Sequence, residues 1–171
     1  MSTCLVGSEM CIRDRVLHFD TKAIRSSIEW SRGINSYLPK DIRVLWAKEI
    51  DESFHARFSA TKRFYIYNIL NDPTPSALWA HRSLYIPTRL DMQSMKKASK
   101  YLLGEHDFSS FRGSGCQSKT PIRNIQEIKI SRNDDFVTLE ITANAFLLHM
   151  VRIIVGTLIM VGKKEIQPKD C

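Results

Sequence analysis

The longest apolar run, Phe146–Gly162, sets the tightest limit on what this chain can become. A membrane span needs about 20 apolar residues with no charge at its centre, and this run holds His149 and Arg152. A helix over Phe146–Val161, apolar almost all round and therefore deeply buried, is the expectation. Arg152 is then the anomaly. A guanidinium keeps its proton, so burial demands an anion and hydrogen bonds. Either Arg152 snorkels to an edge or it pairs with a buried carboxylate at a site, and no carboxylate stands nearby in sequence. An unpaired buried charge here would make Arg152→Met neutral or stabilising. His149 reads as a satisfied core histidine.

The remaining elements follow from period and punctuation. Thr21 or Asp20 is placed to cap a helix running to about Tyr37, with Ile24 and Ile28 one turn apart. Ile42–Ile50 and Lys62–Leu70 read as strands, and the two prolines in Asn71–Ser76 mark a loop. Asp91 caps a second helix with Met92, Met95, Ala98 and Leu102 on its apolar face, stopped by Gly104. Phe108–Pro121 is a polar loop with two glycines, and Ile122–Ile130 and Phe136–Ala143 are strands joined by a turn at Asn133-Asp134-Asp135. The sum is an α+β fold, an antiparallel sheet covered by helices.

Charge points to a polyanionic partner. Lys and Arg number 25 against 18 Asp and Glu, a formal charge of +7. Cys4, Cys11, Cys116 and Cys171 form no C-x-x-C pair, so no zinc site is expected, and free thiols fit a reducing cytoplasm. No basic stretch followed by a long apolar run opens the chain, so neither a secretory leader nor membrane attachment is expected.

Three basic-aromatic clusters recur: Phe54–Ala60, Lys62–Tyr67, and Phe108–Arg112 with Lys119 and Arg123 beyond. Cations suit phosphates and aromatic faces stack on unpaired bases, a mixture that fits RNA. Equally, aromatics alternating on a strand serve a core, and Arg57 or Lys62 can simply face solvent.

Several strings carry a family resemblance. They are His18-Phe19-Asp20-Thr21, Phe54–Ala60, Arg63-x-Tyr65-x-Tyr67, Gly104–Arg112, Cys116-Gln117 and Ala143–Gly156. Together they resemble consecutive segments of the tRNA pseudouridine synthase A (TruA) family, in order, across nearly everything from Val16 to Gly162. Ile153 departs from the family, which usually has Asn there. The resemblance implies the C-terminal part of a two-part fold, with no metal and no cofactor. It implies a homodimer that isomerises uridine to pseudouridine in the tRNA anticodon stem-loop. An aspartate attacks a flipped-out nucleoside, since the reacting atoms are hidden in a stacked base. By resemblance, Tyr65 stacks on the target uracil and Arg152 keeps the aspartate ionised and oriented. Arg57, Lys62, Arg63, Arg112 and Arg123 become contacts to the tRNA backbone.

The family's aspartate lies in a Gly-Arg-Thr-Asp-Ala-Gly-like string roughly ten residues before the His-Phe pair, and no such string occurs here. Asp14 follows Arg13 but has the wrong neighbours and stands only four residues before His18. Met1–Arg15 resembles a translated sequencing-adapter peptide and is expected to be non-native, leaving residues 16–171 as a catalytic domain truncated at both ends. The chain is therefore expected to lack activity on its own. A non-catalytic RNA-binding module is the alternative.

Overall fold

Phe136–Ala143 alternates strictly between buried and half-buried positions, and the second half of the molecule is arranged around it. The computed structural model describes residues 16–80 and 82–170, with the backbone alone for residues 2–5. It divides into two units, one through Thr61 and one from Lys62 onward.

In the second unit, β4 (Arg63–Leu70), β5 (Leu84–Tyr85), β6 (Gly104–Asp107), β7 (Ile122–Asn133) and β8 (Phe136–Ala143) form one sheet of order β5-β4-β8-β7-β6. All pairings are antiparallel except β4 with β5. The β7–β8 hairpin turns where expected, with Asp134 at φ 50, a left-handed conformation that Asp tolerates. Val137, Leu139, Ile141 and Ala143 face the helices α2 (Met92–Ser99) and α3 (Met150–Gly162) and join one continuous core. The α+β reading with helices covering a sheet therefore stands.

Local chemistry explains the helix ends. The Asp91 carboxylate accepts from Gln93 N–H and Ser94 N–H, capping α2 as its sequence predicts. Asp91 N–H in turn donates to Gly162 O at 2.8 Å. A Cβ on Gly162 would stand 2.8 Å from Met95 Sδ, so the glycine permits this close passage of α2 and α3. Lys164, at φ 64, ends α3 in a Schellman-type turn with Glu165 N–H on Met160 O.

The first unit holds β1 (Ser2–Leu5), β2 (Leu17–Asp20), α1 (Ser27–Tyr37) and β3 (Lys48–Ile50), with strand order β2-β1-β3. β1 falls in the segment whose sequence shows no strand period. Backbone pairing to both neighbours, such as Cys4 opposite His18 and Lys48, is available to almost any residue type. Residues 6–15, including Arg13 and Asp14, lie outside the described residues.

Several boundaries differ from expectation. α1 begins at Ser27 rather than near Thr21, because Ser26 and Glu29 close a capping box. Ile24 falls outside the helix and is 96% exposed. The strand expected over Ile42–Ile50 shrinks to β3, because both backbone groups of Val44 are taken by the Asn35 amide, at 2.8 and 2.9 Å. β6 forms where only a helix stop was expected, as Gly104 at φ 96 turns the chain directly into a strand.

Candidate functional site

Strand alternation puts Arg63, Tyr65, Tyr67 and Ile69 on the face of β4 that the helices cover. Burial fades along this row, from Ile69 fully buried to Arg63 and Tyr65 half-buried, so the covered face opens at the Arg63–Ala143 end. The chain leaves β8 at that same end and enters α3. Tyr65 meets this connection directly, its ring edge-on to Phe146 at 5.1 Å between centroids.

The connection is built with care. Asn144 Oδ1 accepts from Asn124 N–H and Ala145 N–H, and Asn144 O accepts from Arg63 Nη1 at 3.0 Å. His149, at φ 61, then makes a left-handed step, and α3 starts one residue later. That step is why the helix begins at Met150 and not at Phe146 as the apolar run suggests. The loop after β6 clamps this step. Gly113 N–H donates to Leu148 O at 2.8 Å, and Leu148 N–H donates to Cys116 Sγ at 3.4 Å. A Cβ on Gly113 would stand 2.8 Å from His149 Cδ2 and 2.9 Å from Leu148 O, so only glycine lets the loop lie this close.

Arg152 sits in the first turn of α3 and is exposed. This corrects the expectation of a deeply buried helix and of an arginine needing a buried counterion. Arg152, Gly156 and Met160 form an exposed row at four-residue spacing, while Ile154, Val155, Leu158 and Val161 face the core. An exposed Arg152 gives no reason for Arg152→Met to stabilise the chain. His149 is likewise exposed rather than a core histidine.

The basic residues divide by environment. Lys62 is exposed ahead of β4. Arg112 donates from Nη2 to Cys116 O at 2.7 Å and Ser118 O at 2.9 Å, bracing the clamp loop while remaining exposed. Arg123 is only 8% exposed, and its guanidinium donates to Thr120 O, Ile122 O and Ser118 Oγ. Its charge is committed to holding the loop, a role with no local signal in the residues around it. Leu148 N–H first, then Ser118 N–H and Arg112, hold the Cys116 thiol below its ordinary pKa.

In the first unit, Phe54–Ala60 folds as a tight turn against β2. Ala56 N–H donates to His18 Nδ1 at 3.4 Å, and the His18 and His55 rings lie 4.3 Å apart. His55 Nδ1 accepts from Arg57 N–H and Phe58 N–H, which presents both side chains outward, each exposed. A cavity of about 380 Å³ lined by Ile28, Arg32, Leu45 and Trp46 on this unit holds none of the expected site residues. Among the described residues no group of His, Cys, Asp and Glu is arranged to hold a metal ion, and no helix is long and apolar enough to cross a membrane.

Known proteins resemble this chain over most of its length. A family model described as tRNA pseudouridine synthase matches residues 98–171. The tRNA pseudouridine synthase A of Histophilus somni is 53% identical over 156 residues, covering 91% of this chain and 58% of that protein. Those of Paraburkholderia phytofirmans and Aliivibrio salmonicida are 48% and 47% identical, over 86% and 91% of this chain. The chain spans 55% and 59% of these last two, little more than half of each relative. On these matches the chain belongs to the TruA family of tRNA pseudouridine synthases.

Proposed function

We propose that this chain supplies the uridine-holding half of a tRNA pseudouridine synthase acting on the anticodon stem-loop in the cytoplasm, as a homodimer in its intact form. The observation that carries the reading is Arg152. It is an exposed cation, the one charged residue of α3, set just after a clamped left-handed step and at the same sheet end as Tyr65. In this reading Tyr65 stacks on the flipped uracil, and Arg152 orients and keeps ionised an aspartate that attacks the nucleoside. The C–N glycosidic bond breaks, the uracil turns, and it rejoins through C5. Arg57, Lys62, Arg63 and Arg112 hold the tRNA backbone, and Arg123 contributes by bracing the loop that carries Arg112. No step calls on a metal or cofactor.

The aspartate-bearing string is missing from the chain, so residues 1–171 bind the anticodon stem-loop without forming pseudouridine. Binding is measured by anisotropy across a salt series, and product by mass spectrometry of the recovered RNA. Pseudouridine in that RNA overturns the missing-nucleophile reading, and no salt-dependent binding overturns the RNA reading. We further propose that Met1–Arg15 is foreign to the gene. Sequencing the source DNA upstream of the Val16 codon then finds an in-frame Arg-Thr-Asp string, and an uninterrupted Met1–Arg15 reading frame sinks that idea.

A further inference from the structure

An isolated exposed Phe is ordinary on a protein surface. Phe58 is different because of what is built beneath and beside it. The ring is 75% exposed at the tip of the Phe54–Ala60 turn. His55 backs it at 4.3 Å between centroids with a 37° tilt, and His18 backs His55 in turn. The Arg57 guanidinium lies 5.6 Å from the Phe58 centroid. The turn is held shut by polar bonds that fix both residues: Ser59 N–H on His55 O, His55 N–H on Ser59 Oγ, and the two N–H groups on His55 Nδ1. A pre-set aromatic ring with a cation over it offers the two contacts that one unpaired nucleotide needs, ring for the base and guanidinium for the phosphate.

We infer that Phe58 and Arg57 form a stacking platform for an unpaired base of the RNA, separate from the uridine that Tyr65 receives. This rests on the proposed RNA-binding function and adds a second base contact to it. Stacking is sequence-tolerant, so the platform anchors the RNA without selecting which base it takes.

The test uses the full chain and an anticodon stem-loop carrying 2-aminopurine at successive loop positions. Binding quenches the fluorophore at one position. Phe58→Ala and Phe58→Leu each weaken binding by about tenfold and abolish that quench, while Phe58→Trp retains both. Arg57→Gln lowers the slope of log affinity against log salt by about 0.7, the value for one phosphate contact on a single strand. The melting temperatures of these variants stay close to the parent's, since the ring is mostly in solvent. Parent binding with no loss in Phe58→Ala overturns the platform alone. A Trp variant as weak as Ala also overturns it, because the contact is then not stacking. Failure of the parent chain to bind the stem-loop overturns the RNA reading and the platform together.

Discussion

The unit through Thr61 buries Val44 and Ala47, with Phe19, Trp30, Ile34 and Leu38 half-covered around them. The unit from Lys62 buries a continuous cluster running from Ile69 through the sheet to Val161 on α3. Among the described residues, the first is held largely by polar clasps: the Ser26–Glu29 capping box, the Asn35 amide on Val44, and His55 inside its turn. The second is held by apolar packing, with clasps such as Asn71 on Ile86 O, Thr88 O and Leu90 N–H as reinforcement. Apolar burial is roughly additive in area and sets global stability, whereas a few polar bonds fix local shape with a small net contribution. The base platform we infer lies on the clasped unit, and the Tyr65–Arg152 end lies on the packed one.

The sharpest way to break this comparison is a matched pair of core truncations. Leu139→Ala, on the central strand, costs about 2–5 kcal/mol. Val44→Ala costs no more than about 2 kcal/mol. Chemical denaturation measures both, and hydrogen exchange places the loss. Amides of β4, β7 and β8 are the slowest to exchange, and those of β2 and β3 exchange first. Equal costs, or slower exchange in β2, remove the distinction.

Next in size is Gly113→Ala. The added methyl meets a backbone carbonyl and the His149 ring, and overpacking of this kind costs about 1–3 kcal/mol. The same variant displaces the start of α3, so RNA binding falls even where the fold is kept. Gly156→Ala is the counterpart of opposite sign. Its Cβ meets nothing within 4 Å on the exposed row of α3, so the gain in helix propensity stabilises the chain by about 1 kcal/mol. Thermal melts of the two variants move in opposite directions, and a destabilised Gly156→Ala shows that something packs on that row.

The smallest effect is in acid. The Ser26 N–H lowers the pKa of Glu29, and the Ser94 N–H lowers that of Asp91. A carboxylate whose folded pKa is depressed adds stability that is present above its ordinary value and is lost as pH falls through the folded one. Both caps therefore weaken below about pH 4, and α1, none of whose own residues is buried, frays before α2. Amide exchange or helix-specific chemical shifts followed down in pH report the order, and α2 fraying first contradicts the comparison.

Much of the second unit was legible in the chain. The 2-residue period of Arg63–Leu70 and Phe136–Ala143, the Asp91 cap and the Asn133–Asp135 turn are local signals, and each element stands where its own residues put it. In the first unit the local signals misled, because Ser26 outcompeted Asp20 and Thr21 as the cap, and because the Asn35 side chain took the bonds that would have made Val44 a strand residue. The motif strings marked the candidate site, but not its form. No period distinguishes an arginine on the exposed row of a helix from one pointing inward when leucine, isoleucine and valine stand on both sides.

What the sequence by itself determined is the family, the α+β class, and the residues on which the chemistry is expected to rest, since these follow from residue type and near-neighbour spacing. Only the tertiary structure decided that Arg152 faces outward, that Arg123 is spent on its own loop, and that Gly113 and Cys116 clamp the step at His149 into α3. The reason is physical. Exposure and hydrogen-bond partners are set by segments far apart in the chain, and no local pattern encodes which of them will meet.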